Sequence, residues 1–213
     1  MSFIEKLSLE HIDILKEVGN IGAGHAATAL SRLLNKKIDM KVPNVQVVSF
    51  NEVMELVGGA ENVVACVFLR VEGDAPGSMF FILSLDQATR FIQHLTSDPS
   101  FSMDSPPYSE MALSALQELG NILTGSYLSA FSDFTKLNMY PSVPAISIDM
   151  IGAIISFGLI ELSTVSDYAI VIDTALLDED QPISDEVKGH FFFLPHPESF
   201  STIFQALGVE EHE

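Results

Sequence analysis

The sequence predicts an α/β domain that is internally duplicated, with pseudo-two-fold symmetry, one sheet shared by both copies, and two long helices flanking it. Three observations lead there. LEHIDILKEVGNIGAGHAATAL and SALQELGNILTGSYLSAF are one helical pattern written twice: Glu118 lies 101 residues after Glu17, and Asn121 lies 101 after Asn20. The same shift carries Gly19 to Gly120, Ile21 to Ile122, Gly24 to Gly125, Ala29 to Ala130 and Pro43 to Pro144, and self-similarity at a fixed period marks a repeated structural unit. Each copy then continues in the same order, extended segment, hairpin, helix. One domain is expected over residues 1–213, with repeat one spanning about 8–96, a linker about 97–107, and repeat two about 108–207.

The first helix is amphipathic. Ile12, Leu15, Val18 and Ile21 form its expected buried stripe, and Leu113, Leu116, Leu119 and Ile122 the same stripe in the second copy. Glu17 and Asn20 are three residues apart, so they share a side about one turn apart, with Asp13 a turn further back. Ser114 holds the place of Asp13 beside Glu118 and Asn121. Gly19 and Gly120 stand mid-helix, where glycine costs about 1 kcal/mol relative to alanine. Close approach of the sheet or of the twin helix accounts for them, and Gly22, Ala23, Gly24, Ala26 and Ala27 prolong that slim edge.

After the helix, with Lys36 and Lys37 near its end to complement its dipole, IDMKVPNVQVVSF reads as extended, with Pro43 at an edge. NEVMELVGG reads as a short helix capped by Asn51 and closed at Gly58. NVVACVFLRVEG and GSMFFILSL form a hairpin about the DAPG turn, and LDQATRFIQHL is a helix. TSDPSFSMDSPP links the repeats. The second copy gives a helix to about Leu137, PSVPAISID and IGAIISFGLIELS as extended segments, and YAIVIDTAL as a strand. A polar loop LDEDQPISDEVK, the strand GHFFFLPH and the helix PESFSTIFQAL follow. GSMFFILS and GHFFFLPH correspond at an offset of 112 because the second hairpin has the longer loop.

Composition narrows the partners. With 29 acidic against 10 basic residues the net charge is −19, which argues against nucleic acid and against an anionic membrane surface. It also means that phosphate chemistry here must borrow positive charge from a partner. No apolar run approaches the roughly 20 residues that span a bilayer, and Met1–Glu10 lacks a basic segment followed by an apolar one, so a cytoplasmic protein is expected. The single cysteine, Cys66, cannot form an internal disulfide and reads as a small buried hydrophobe.

Other motifs carry less. GNIGAG sits inside an amphipathic pattern with no strand leading into it, so it fails the context required of a nucleotide-binding glycine loop. His11, His94, His190, His196 and His212 show no metal-ligand spacing, and His25, beside the polar side, reads as a surface hydrogen-bonding residue. No carboxylate cluster accompanies either Glu, so no metal of the protein's own is expected. Phe191, Phe192 and Phe193 read as sheet core.

The pattern Asp or Ser, three residues, Glu, two residues, Asn, twenty-two residues, Pro is met by Asp13, Glu17, Asn20 and Pro43 and again by Ser114, Glu118, Asn121 and Pro144. It resembles the CheC family of bacterial chemotaxis phosphatases, a group that includes CheX and the amino-terminal part of FliY, over essentially the whole chain. The absence of a further domain after Leu207 looks like CheC rather than FliY. The resemblance implies hydrolysis of the phosphoryl-aspartate of the response regulator CheY. Asn20 and Asn121 match the family's catalytic amide, and Glu17 and Glu118 its acidic partner. The regulator would supply Mg2+ and cationic groups, leaving the phosphatase to place a water in line through an amide hydrogen bond. The family also implies association with the receptor deamidase CheD. The competing reading is a binding module that sequesters CheY or CheD, in chemotaxis or at the flagellar switch, without chemistry.

The repeats disagree at one informative place. Asp149 in ISIDMIG corresponds to Val48 in VQVVSF, and burying that charge unpaired would cost several kcal/mol. Two readings are open: an exposed docking position for CheD, set among Ile148, Met150 and Ile151, or a buried ion pair with a nearby Lys or Arg.

Overall fold

The computed structural model describes residues 8–104, 106–161, 168–178 and 186–208. Helix α1 (Leu9–Leu34) starts at Ser8, whose side chain accepts the His11 N–H while the His11 ring accepts the Ser8 N–H, and ends at Asn35 in the left-handed conformation. Its counterpart α4 (Glu110–Thr135) starts at Ser109 and ends at Lys136, also left-handed. Both helices have 26 residues, and both caps lie 101 residues apart.

Strands β1 (Ile38–Lys41) and β2 (Val45–Ser49) and helix α2 (Phe50–Leu56) are repeated as β5 (Met139–Pro141), β6 (Ala145–Met150) and α5 (Ile151–Glu161). Hairpins β3 (Val63–Gly73)–β4 (Gly77–Ser84) and β7 (Tyr168–Asp178)–β8 (Val187–Pro195) follow, each leading to a helix, α3 (Leu85–Thr96) or α6 (Pro197–Ala206). All pairings are antiparallel, in the order β1-β7-β8-β4-β3-β5, with β2 beside β1 along β7 and β6 beside β5 along β3. The local pseudo-two-fold passes between β4 and β8, where Phe80 pairs with Phe192. Each repeat therefore hands its edge strands to the hairpin of the other, and the repeats interlock.

Alternation along the strands builds two cores. One face carries Ala65, Val67, Leu69, Met79, Phe81, Ile170, Ile172, Phe191 and Phe193 and is covered by α1, α4, α3 and α6. The other carries Val64, Cys66, Phe80, Ile82, Val171 and Phe192 and is covered by α2 and α5. The Phe run is thus core on both faces, as its position in the sequence suggests, and burial pushes the Cys66 thiol up, consistent with an inert hydrophobe.

The glycines are explained by close approach. A methyl on Gly120 would come within 2.6 Å of Val67 Cβ, and one on Gly22 would come within 2.6 Å of the Tyr127 ring. The slim edge of α1 thus meets its twin helix at Gly22, and α4 meets the sheet at Gly120. Tyr127 is itself fixed, its hydroxyl 3.1 Å from Thr174 Oγ1 and its ring tilted at 39° with its centroid 4.8 Å from that of Phe191, and burial raises its pKa to about 12.

Three local expectations are corrected. IGAIISFGLIELS is not extended: residues 151–161 form α5, because Ile151, Ile154 and Ile155 recur at i, i+3 and i+4 and bury one side against the second core. The end of that segment, residues 162–163, lies outside the described residues, as do residues 179–185 of the polar loop. The short helix α2 is capped by Ser49, not Asn51, with the Glu52 carboxylate accepting from the Ser49 N–H at 2.7 Å and hydroxyl at 2.6 Å. Ile21 is not buried with Leu15 and Val18 but is 37% exposed. It lies four residues past Glu17 and so belongs to the stripe of that carboxylate.

Candidate functional site

The two site stripes lie on the outer side of α1 and α4. Burial of Leu15, Val18, Gly19, Gly22, Ala23 and Ala26 turns Asp13, Glu17, Asn20 and Gly24 to solvent, and burial of Ala115, Leu116, Leu119, Gly120 and Leu123 does the same for Ser114, Glu118, Asn121 and Gly125. GNIGAG is mid-helix. Among the described residues, Glu17, Asn20, Glu118 and Asn121 make no side-chain hydrogen bond or ion pair. Each amide and each carboxylate is therefore available to an incoming group. A carboxamide offers both an acceptor and two donors on a short stem, suited to orienting a water, and a carboxylate three residues away suits a cation.

Past each Asn the two helices present the same open surface. Gly24 and Gly125, four residues past each Asn, have no neighbouring atom within 4 Å of where a Cβ would stand. No internal contact requires glycine there, and the helix surface stays low one turn past each amide. Ile21 and Ile122 stand four residues past each Glu, but Ile122 packs against the core as its apolar stripe predicts, whereas Ile21 opens to solvent beside Glu17.

Pro43 and Pro144 sit in the β1–β2 and β5–β6 loops, beside the helices that carry the pairs. Gln117 Nε2 donates to the Pro144 carbonyl at 2.9 Å, tying that loop to α4 one residue before Glu118 and one turn before Asn121. In the first repeat the place of Gln117 is taken by Lys16, which makes no such bond. Instead Val42 folds under α1, 3.4 Å from where a Cβ of Gly19 would be.

Asp149 lies on the other face. It is exposed, its Oδ1 accepts the Met150 N–H at 2.7 Å, and it has no cationic partner among the described residues. The buried ion-pair reading is therefore wrong: β6 is an edge strand, so a side chain on its α5 face opens to solvent. There it borders a half-open cavity of about 490 Å³ lined by Phe68, Phe80, Ile146, Asp149 and Ile154.

Among the described residues no three His, Cys, Asp or Glu side chains gather as a metal cluster, and no described helix is long and apolar enough to cross a membrane. His190 is engaged elsewhere, its Nδ1 2.8 Å from Asp173 Oδ1 on the α2 and α5 side of the sheet.

Comparison with known proteins places this architecture. The CheC-like family model matches residues 10–47 and again 111–148, two stretches separated by the same 101 residues and containing both sets of Asp or Ser, Glu, Asn and Pro. The chain is 52% identical to the CheY-P phosphatase CheC of Bacillus subtilis over 98% of its own length and 99% of that protein. It is 30% identical to the flagellar motor switch phosphatase FliY of the same organism, over 68% of this chain and 37% of FliY. In structure it is similar to Thermotoga maritima FliY, with a TM-score of 0.72 at 20% identity, covering 95% of this chain and 98% of that one, which shows the same fold. A duplicated helix bearing the Glu and Asn pair, an interlocked antiparallel sheet and identity over nearly the full length lead to one assignment: the chain belongs to the CheC-like family.

Proposed function

We propose that this protein hydrolyses the phosphoryl-aspartate of phosphorylated CheY, using two sites. Asn20 and Asn121 each orient a water in line with the phosphorus; its attack breaks the bond to the regulator's aspartate, which leaves as a carboxylate, and releases inorganic phosphate. Glu17 and Glu118 engage a cationic group of the regulator and set the angle at which each helix docks. Mg2+ comes with the regulator and neutralises the phosphoryl charge, which this acidic chain does not do itself. Such a protein works where CheY diffuses, in the cytoplasm.

The observation that carries the reading is the pair of exposed Glu and Asn stripes, in register and uncommitted, in a chain 52% identical to a protein named for this activity. The test is phosphate release from phosphorylated CheY by catalytic amounts of protein. With Asn20→Ala and Asn121→Ala combined, turnover should fall by about 10²-fold or more, since positioning of the water is lost, while the thermal transition stays unchanged. Normal turnover in the folded double variant would refute the amide mechanism. Acceleration only at stoichiometric protein would favour the sequestering module.

CheD association is the second part of the proposal, and the exposed carboxylate of Asp149 beside an apolar cavity supports it. That surface lies across the sheet from α1 and α4, so both partners can be held together. Asp149→Lys should abolish CheD binding and leave turnover intact; unchanged CheD binding would remove Asp149 from the interface.

A further inference from the structure

We propose that Val143, on the β5–β6 loop, is a specificity-determining contact for the regulator at the Asn121 site, that Gln117 is the positioning residue presenting it, and that the Asn20 site lacks the equivalent. The inference rests on the reading that CheY docks on α4. Val143 is 85% exposed, whereas Val42, 101 residues earlier, is 4% exposed and tucked beneath Gly19. An isolated exposed valine is ordinary, but this one is held in place from both sides. The Ser142 N–H donates to the Arg70 carbonyl at 2.8 Å, the Arg70 N–H donates to Ser142 Oγ at 2.9 Å, and the Pro144 carbonyl accepts from Gln117 Nε2 at 2.9 Å.

Gln117 and Asn121 are four residues apart on α4, so the loop that Gln117 anchors is tied to the helix one turn before the amide. A macromolecule that covers Asn121 and the preceding turn of α4 comes to this loop, whose exposed side chain, Val143, is stiff, β-branched and apolar, with one torsion to lose. An apolar group already held in place loses little conformational entropy when a partner covers it. At the other site the same position contributes to the core, Lys16 replaces Gln117, and Lys41, in place of Ser142, only approaches Asp39 at the surface.

The experiment isolates the second site with Glu17→Ala and Asn20→Ala, and the first with Glu118→Ala and Asn121→Ala. In the protein retaining Asn121, Val143→Ser should raise KM for phosphorylated CheY about tenfold with kcat within about twofold, as expected for loss of a buried apolar contact made equally in ground and transition states. Val143→Ile should restore the parent KM, and Gln117→Ala should raise it in the same direction by less. In the protein retaining Asn20, Val143→Ser should change nothing. An unchanged KM in the first background, or an equal rise in both, overturns the proposal. Affinity for CheY carrying beryllofluoride and Mg2+ is measured on the same proteins: if no protein releases phosphate, the phosphatase reading has failed, yet Val143→Ser must still weaken this binding. Weakened CheD binding with CheY binding intact would also overturn it.

Discussion

The two repeats keep the same helices, caps and Glu and Asn pairs, but they close their edges differently. In repeat one the β1–β2 loop turns inward, Val42 fills the space beneath Gly19, and the helix rides with Ile172 of the sheet 3.6 Å from the Gly19 Cβ position. In repeat two the loop turns outward, and α4 settles onto Val67, which would lie as close as 2.5 Å to a Cβ on Gly120. The valine that cushions one helix is absent beneath the other. Duplication has thus preserved the exposed Glu and Asn pairs while the packing behind them diverged, so equivalent substitutions in the two halves have different physical consequences.

The sharpest break of the symmetry is expected at the paired glycines. Gly120→Ala forces a methyl against Val67 on a sheet strand that cannot recede, and should cost about 1–3 kcal/mol by overpacking, lowering Tm by roughly 2–10 °C for a chain of this size. Gly19→Ala meets Val42 at ordinary contact distance, and the gain in helix propensity, about 1 kcal/mol, should leave the protein as stable as the parent or slightly more so. Thermal and urea unfolding of the two variants side by side would show it; equal losses would mean that the difference in packing between the helices is not real.

A smaller effect sharpens the comparison from the outer side, where the repeats agree. Gly24→Gln and Gly125→Gln each place a side chain in open space, so each should stabilise the fold by about 0.5–1 kcal/mol. Each also raises the surface one turn past an Asn and should slow phosphate release at its own site severalfold, measured with the other site silenced. Stability gained without any loss of turnover would mean that the partner does not pass over these glycines.

Much of this was readable from the residues because the repeat reports on itself. The fixed shift locates both Glu and Asn pairs, the continuous apolar runs VVACVFL and FFILS mark strands buried on both faces, and the two hairpins follow. Residues 151–161 look extended because an almost continuous apolar run does not by itself separate a buried strand from a buried helix; Ile151, Ile154 and Ile155 recur with a helical period, and the same 101-residue shift projects α2 onto the start of this segment. Ile21 falls outside the buried stripe because a helix whose buried side is formed by glycine and alanine has a narrow apolar stripe, and its rim is outside. The outward turn of Val143 and the Gln117 tie were beyond reach, since they depend on which strand the loop borders. That pairing choice, repeat one with the hairpin of repeat two, leaves no mark in local periodicity.

The interlocked edges bear on how the chain reaches its structure in time. Val45 has no partner until Ile172 exists, 127 residues later, and Phe80 pairs with Phe192 across 112. During synthesis the first hairpin can close on itself, but both of its long edges wait for the second half: β3 for β5 and β6, β4 for β8. Closing such long loops must precede the contacts that reward it, so folding is expected to be slow and late, dominated by non-local pairing. Until β8 leaves the ribosome, the apolar edge of β4 is open to any other strand, and this nascent interval is when the chain is most exposed to aggregation.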